Sequence, residues 1–159
     1  MKLRRVIFHP LTVFCIAVSV TLIFAALLVV CSHGRRNFFS LYYIAPIGVP
    51  FIAFLFERVE QRQNLPRSVF LIDALTLGVA FARAVIPIPF LSGHSLFLTY
   101  ALLTTSTTVV RLTCLLVMAQ VLYLKLFIWN DFGVFGGIAL GVIASALLRI
   151  GRGRFLSNK

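Results

Sequence analysis

The sequence predicts an all-α membrane protein, a compact bundle of six transmembrane helices in one domain of 159 residues. The first observation is composition, because 60% of the residues are hydrophobic and only 12% are charged. With a mean hydropathy of +1.03, a soluble fold would lack the interior to hide so much apolar surface. The second observation is that the apolar residues form runs of roughly the 17–25 residues that cross a bilayer. The third is that most basic residues lie between these runs.

Six apolar runs are long enough, or nearly long enough, to be spans. We expect them at residues 11–31, 38–56, 69–88, 94–110, 112–129 and 132–148. The first follows a basic N-terminus without a small-residue cleavage site, and we interpret it as a retained signal anchor. The last three are joined by very short connections, so we expect them to be antiparallel neighbours in the bundle.

The distribution of basic residues predicts the orientation. One face collects eleven of them, against Arg35 and Arg36 on the other, and the eleven are Lys2, Arg4, Arg5, Arg58, Arg62, Arg67, Arg111, Arg149, Arg152, Arg154 and Lys159. The positive-inside rule then places both termini in the cytoplasm. We expect an integral protein of a bacterial inner (plasma) membrane, with Ser92–His94 and Trp129–Asp131 on the outer side.

Several partner classes are not expected. The net charge is +11, and most of the basic residues lie beside apolar runs. This placement favours anionic or phosphorylated membrane lipids as partners rather than nucleic acid. The cysteines match no zinc or haem spacing. Histidines are too few and too scattered, with His9 inside and His33 and His94 outside. We therefore expect no metal site and no cofactor.

Ionisable residues at membrane depth are costly and are the first candidates for function. Arg83 and Lys125 lie near the outer ends of their spans, where each could extend to the headgroups or clamp a phosphate. The position of Asp73, near the inner end of the third span, favours a structural pair with an inner-side arginine rather than a role in a proton relay. The Thr104–Thr108 hydroxyls are expected to bond to carbonyls or across helices.

Two outer polar segments each allow a structural and a functional interpretation. Ser92 can cap the fourth helix and Gly93 permits close backbone approach, but a helix N-terminus with Ser, Gly and His94 also suits phosphate. Asp131 can cap the sixth helix or orient an imidazole. Past it, close-packing glycines form a face for another helix, inside the chain or in a partner, at Gly133, Gly136, Gly137 and Gly141.

Together these features resemble the type-2 phosphatidic acid phosphatase family, over about Val69 to Leu148. That family carries the motifs K-x6-RP, PSGH and SR-x5-H-x3-D. Ser92, Gly93 and His94 match SGH, with Leu91 in place of proline. The resemblance implies an outer-facing lipid-phosphate site, in which a nucleophilic histidine attacks phosphorus, an aspartate orients it and the PSGH histidine protonates the leaving group.

The chain departs from these motifs at two positions. Arg83 stands for the arginine of the first motif, but Thr76 occupies the lysine position. If Asp131 is the third-motif aspartate, the nucleophile position is Phe127, and a phenyl ring cannot form a phosphoenzyme.

The resemblance thus implies His94 and Asp131 as catalytic residues and Arg83, Ser92, Gly93 and Lys125 as phosphate ligands. One hypothesis is a phosphoric monoester hydrolase or phosphotransferase acting on phosphatidate-like or polyprenyl phosphates, with His94 as nucleophile or base. The alternative is a catalytically inactive lipid-binding or partner-binding subunit. A small transporter or channel ranks lower, because few polar residues lie at mid-membrane.

Overall fold

The computed structural model describes residues 36–61, 65–86 and 88–157, together with positions 15, 16, 19 and 23. Within these ranges the chain is helical and contains no strand. The described α-helices are α1 (Arg36–Glu60), α2 (Arg67–Val85), α3 (Gly93–Thr104), α4 (Thr108–Tyr123) and α5 (Gly133–Ser157). A five-residue π-helix, Leu124–Ile128, continues α4. The first predicted span, at residues 11–31, lies outside the described residues.

The all-helical class is confirmed for the described residues. Two segments of the described chain are long and apolar enough to cross a membrane, Thr108–Phe127 and Gly133–Gly151. By length and composition they indicate membrane association. The helices α1 and α2 cover the second and third predicted spans, although α2 carries Arg67, Asp73 and Arg83 along its 19 residues.

The fourth predicted span, residues 94–110, differs from the structure. Helix α3 ends at Thr104 and has 12 residues. It is therefore about 18 Å long, against about 30 Å for a hydrocarbon core. The chain leaves the helix over residues 105–107 and α4 begins at Thr108, within the segment that the sequence predicts as one continuous span.

The short helix α3 lies at the centre of the described fold. It contacts each of the other four α-helices, and nine of its twelve residues are buried. Phe97 and Tyr100 face α1, where the Phe54 ring packs edge-on against both, with centroid distances of 5.9 and 6.1 Å. A helix this enclosed needs apolar residues on all sides, which is why its sequence shows no clear polar face.

Glycines bring α5 against α3 and the loop before it. A methyl group added at Gly136 would overlap the carbonyl oxygen of Phe90, and one at Gly141 would lie 2.9 Å from that of Leu96. Gly137 likewise meets the Ser92 carbonyl oxygen and the Ser95 hydroxyl. The sequence predicts that this glycine face packs either inside the chain or against a partner. In the structure it packs inside the chain, against α3.

Glu57 explains why α3 and α4 are separate helices. Its carboxylate, at the end of α1, accepts hydrogen bonds from the Thr105 hydroxyl, from the Ser106 backbone N–H at 2.7 Å and from the Ser106 hydroxyl at 2.9 Å. The Thr107 N–H lies 3.4 Å from the second oxygen. These bonds replace those that a continuous helix would make, so the turn is held by a residue about fifty positions earlier.

Candidate functional site

Ser92 and Gly93 have the structural role that the sequence predicts as one of two interpretations, helix capping and close backbone approach at the start of α3. The Ser92 hydroxyl caps α3 by accepting from the Ser95 N–H at 3.5 Å, and Ser92 itself is buried. Gly93 lies against α2, where an added methyl group would overlap the Ala80 carbonyl oxygen. Both residues shape the helix start, and Gly93 sets how closely α2 approaches it.

Arg83 folds back onto the loop that precedes α3. Its Nε donates to the Leu91 carbonyl oxygen at 2.8 Å, and the side chain is half-buried. The two Nη groups bond to none of the residues that the structure describes. Arg83 therefore fixes the loop with one nitrogen and keeps two donors for another acceptor.

Lys125 and Asp131 form an ion pair across the π-helix. Lys125 Nζ lies 2.5 Å from Asp131 Oδ2, and 6.0 Å from the centroid of the Trp129 ring. Lys125 is only 9% exposed, so it does not extend away from the bundle. The other oxygen of Asp131 accepts from the Gly133 N–H at 2.8 Å, which is the predicted cap of the last helix.

The carboxyl group of Asp131 is held in its charged form. Partial burial raises its pKa, but the hydrogen bonds from Lys125 and the Gly133 N–H, with the charges of Lys125 and Arg83, outweigh burial and lower the pKa below its usual value. Both oxygens already accept a hydrogen bond. The ion pair and the helix cap thus occupy the carboxylate that the resemblance assigns to orienting an imidazole.

His94 lies in the first turn of α3, beside this pair. Lys125 and Arg83 are the two charged side chains whose fields reach its imidazole, and both also act on Asp131. Ser92 and Gly93 directly precede His94, so the structure places all six predicted site residues at one end of the bundle. The charges of two cations act on a histidine there, while the carboxylate is bonded to one of the cations.

Phe127, at the position that the resemblance assigns to the nucleophile, faces away from this cluster. Its side chain is 78% exposed, and its ring lies against Tyr123 with a centroid distance of 5.7 Å. Lys125 and Phe127 are two positions apart on the π-helix, and Lys125 points inward while Phe127 points outward. Short π segments are frequent at functional sites.

A second polar cluster lies at the other end of α2, where the sequence predicts Arg58 and Glu57 between two spans. Arg58 and Glu57 are in fact 4% and 7% exposed. Arg58 Nε lies 3.0 Å from Asp73 Oδ2, and the Tyr100 hydroxyl donates to Asp73 Oδ1 at 2.5 Å. The predicted pairing of Asp73 with an arginine is confirmed, and the arginine is Arg58. One sequence signal for burial existed, since Phe54 lies one helical turn before Arg58.

Comparisons with known proteins return no match: no family model, no curated protein and no solved structure resembles the chain. In the described ranges, no three His, Cys, Asp or Glu side chains cluster closely enough to hold a metal ion. The chemistry of the two polar clusters therefore rests on their own geometry.

Proposed function

We propose that this chain is an integral membrane protein that binds a phosphate-bearing lipid headgroup at the His94 end of its bundle. The observation that carries the proposal is that Arg83 is bonded to the loop just before His94, and that the charges of Arg83 and Lys125 both act on the His94 imidazole. Among the described residues, nothing bonds to the two Nη groups of Arg83, and guanidinium geometry suits phosphate oxygens. The segment Ser92–His94 also supports the proposal, because it matches the SGH motif of the lipid phosphate phosphatases that the chain resembles.

Binding without turnover is the better-supported form of this function. Phe127 supplies no nucleophile and faces outward. Asp131 is bonded through both oxygens, to Lys125 and to the Gly133 N–H. A lipid phosphate in this site meets cationic donors but no activated nucleophile, so we propose a lipid-binding subunit of a membrane assembly.

Trp129 is the single tryptophan of the chain and lies beside Lys125, so its fluorescence reports on this site. We expect short-chain phosphatidate, added to the purified full chain in detergent, to change that emission saturably, and phosphatidylcholine to leave it unchanged. Arg83→Gln should weaken phosphatidate binding roughly tenfold, because a charged hydrogen-bond donor is lost. Arg67→Gln, at the far end of α2, is the matched control. Equal binding by the Arg83 variant would refute the proposal.

A phosphatase activity is the second candidate, favoured by the two cationic side chains whose charges act on His94. It predicts release of inorganic phosphate from phosphatidate by the purified protein, and loss of that release in His94→Ala. We expect no release above the level of the His94→Ala variant. If inorganic phosphate is released and the release depends on His94, the function of the site is catalysis and not binding alone.

We propose that the chain crosses the membrane six times, with the short α3 enclosed by the other helices. Both termini then lie in the cytoplasm of a bacterial cell and the His94 end faces outside, supported by the distribution of basic residues. A cysteine introduced at exposed Asn130 should react with a membrane-impermeant maleimide in intact cells, whereas one at exposed Ser106 should react only after permeabilisation. The reverse pattern would invert the orientation.

A further inference from the structure

Asp131 is an anion that the chain itself places beside the cations of the His94 end. Its Oδ2 lies 2.5 Å from Lys125 Nζ, and the charges of Lys125 and Arg83 both act on its carboxylate. The side chain of Lys125 is 11% exposed and that of Asp131 is 39% exposed. While the ion pair is intact, little of the lysine is therefore open to an anion from outside the chain.

The loop between the π-helix and α5 holds the Asp131 carboxylate in this position. The Asp131 N–H donates to the Lys125 carbonyl oxygen at 2.7 Å, so the loop closes on Lys125 through the backbone as well as through the side chain. Asn130 makes the turn with a φ of 51°, in the left-handed region that asparagine enters more readily than most residues. Oδ1 of Asp131 also accepts from the Gly133 N–H at 2.8 Å. The carboxylate is thus held by its own close neighbours along the chain.

A carboxylate held in this way competes with carboxylates in solution. A group on a short tether acts at an effective concentration on the order of millimolar. A fatty acid offers Lys125 the same functional group as Asp131, so the exchange of one for the other gains no bond. A phosphate headgroup has more acceptor oxygens and up to about two negative charges. It can also bind the Nη groups of Arg83, to which no described residue bonds. A phosphate therefore gains more by displacing the carboxylate than a fatty acid does.

We propose that Asp131 is a built-in competing anion, which keeps carboxylate lipids such as fatty acids off Lys125 and yields the lysine to a phosphate headgroup. This inference rests on the function proposed above and adds to it the residue that excludes the wrong class of ligand. It differs from the role that the resemblance implies for this aspartate, because orienting an imidazole would not affect which anions bind.

Asp131→Asn tests this role, because asparagine caps a helix as well as aspartate does but has no charge with which to compete for Lys125. The full chain in detergent is titrated with dioctanoyl phosphatidate or with laurate, and both Trp129 emission and the melting temperature are followed. We expect the wild type to bind phosphatidate and to show no saturable binding of laurate. In Asp131→Asn the affinity for both should rise roughly tenfold or more, so that laurate binding becomes measurable.

A second variant keeps the test decisive if Asp131→Asn does not fold. Asp131→Ser also offers a capping oxygen, on a side chain too short to reach Lys125, and should show the same gain. Glu60→Gln is the matched control, since it removes one negative charge from an exposed position on α1 and should change neither affinity. A folded Asp131 variant that binds laurate no better than the wild type would overturn the proposal. So would weaker binding of phosphatidate, because Asp131 would then position Lys125 for the ligand.

The competition and the binding function fail in different ways. If the wild type binds phosphatidate but the folded Asp131 variants gain no affinity, the binding function stands and the competition is refuted. If the wild type binds no phosphatidate, the function proposed above fails, and inorganic phosphate is titrated into the wild type and into Asp131→Asn. Tighter binding by the variant would then support the competition, whereas equal binding, or none, would overturn it as well.

Discussion

The contact between α3 and α5 and the groove between the end of α1 and the first half of α2 are built from similarly apolar helices, yet one is closed and the other open. At the first, Gly136, Gly137 and Gly141 let backbones meet, and a methyl group on any of them has no room. At the second, large side chains and a buried ion pair leave about 770 Å³ unfilled. Residue size, more than hydrophobicity, therefore decides which helix contacts are closed in this chain.

The largest expected effect concerns the open side. Asp73→Ala leaves Arg58 as a buried cation without its carboxylate and the Tyr100 hydroxyl without its acceptor. We expect a loss of about 3–5 kcal/mol in the free energy of unfolding, the usual effect of breaking a buried pair. Reversible unfolding by sodium dodecyl sulfate in mixed micelles measures it.

The matched control replaces both partners. Arg58→Met/Asp73→Ala removes the unpaired charge and should recover most of the stability that Asp73→Ala loses. If the single and double variants are equally unstable, the ion pair is not what holds the wall of the groove.

On the closed side, Gly137→Val should cost about 3 kcal/mol of unfolding free energy, or more, because its side chain would meet the Ser92 carbonyl oxygen. The same unfolding assay measures this change. Gly78→Ala is the control, since nothing lies within 4 Å of its added methyl group. There we expect a gain of about 0.5–1 kcal/mol from helix propensity. Similar outcomes for both substitutions would remove the distinction between closed and open contacts.

Glu57, which joins α1 to the turn before α4, provides a pH test. Burial raises its pKa, but hydrogen bonds from Thr105, Ser106 and Thr107 outweigh burial and lower the pKa from 4.5 to about 2. The stabilisation is therefore complete above about pH 4.5 and is lost as pH falls towards about 2. One proton gives a slope of at most about 1.4 kcal/mol per pH unit. Unfolding between these pH values should show that slope, and Glu57→Gln should flatten it.

The smallest effect concerns the first turn of α3. Ser92→Ala removes the side-chain cap and should cost about 1 kcal/mol in unfolding free energy. Ser68→Ala, at an exposed position of α2, is the control and should change stability little. A larger loss for Ser68→Ala would show that the cap contributes less than an ordinary surface hydroxyl.

Sequence predicted what depends on long apolar runs or on neighbouring residues. It placed α1, α2 and most of α5, the internal glycine face and the Asp73 pair. It did not predict the break at Thr105–Thr107, because no glycine or proline marks it and Glu57 comes from far along the chain. Nor did it predict the burial of Arg58, which depends on a partner on another helix. The gathering of Arg83, Lys125 and Asp131 was predicted as a group, but the pairing within it was not.

The π-helix at Leu124–Ile128 has a consequence for how this chain can vary in length. Its last bond, from the Trp129 N–H to the Leu124 carbonyl oxygen at 2.9 Å, spans five residues instead of four. A turn of this kind contains one residue more than an α-turn. A one-residue deletion elsewhere in α4 would rotate every later side chain by about 100°, whereas here it would only restore a regular turn. Any alignment that counts residues from α4 to Asp131 must therefore allow a single gap at this point.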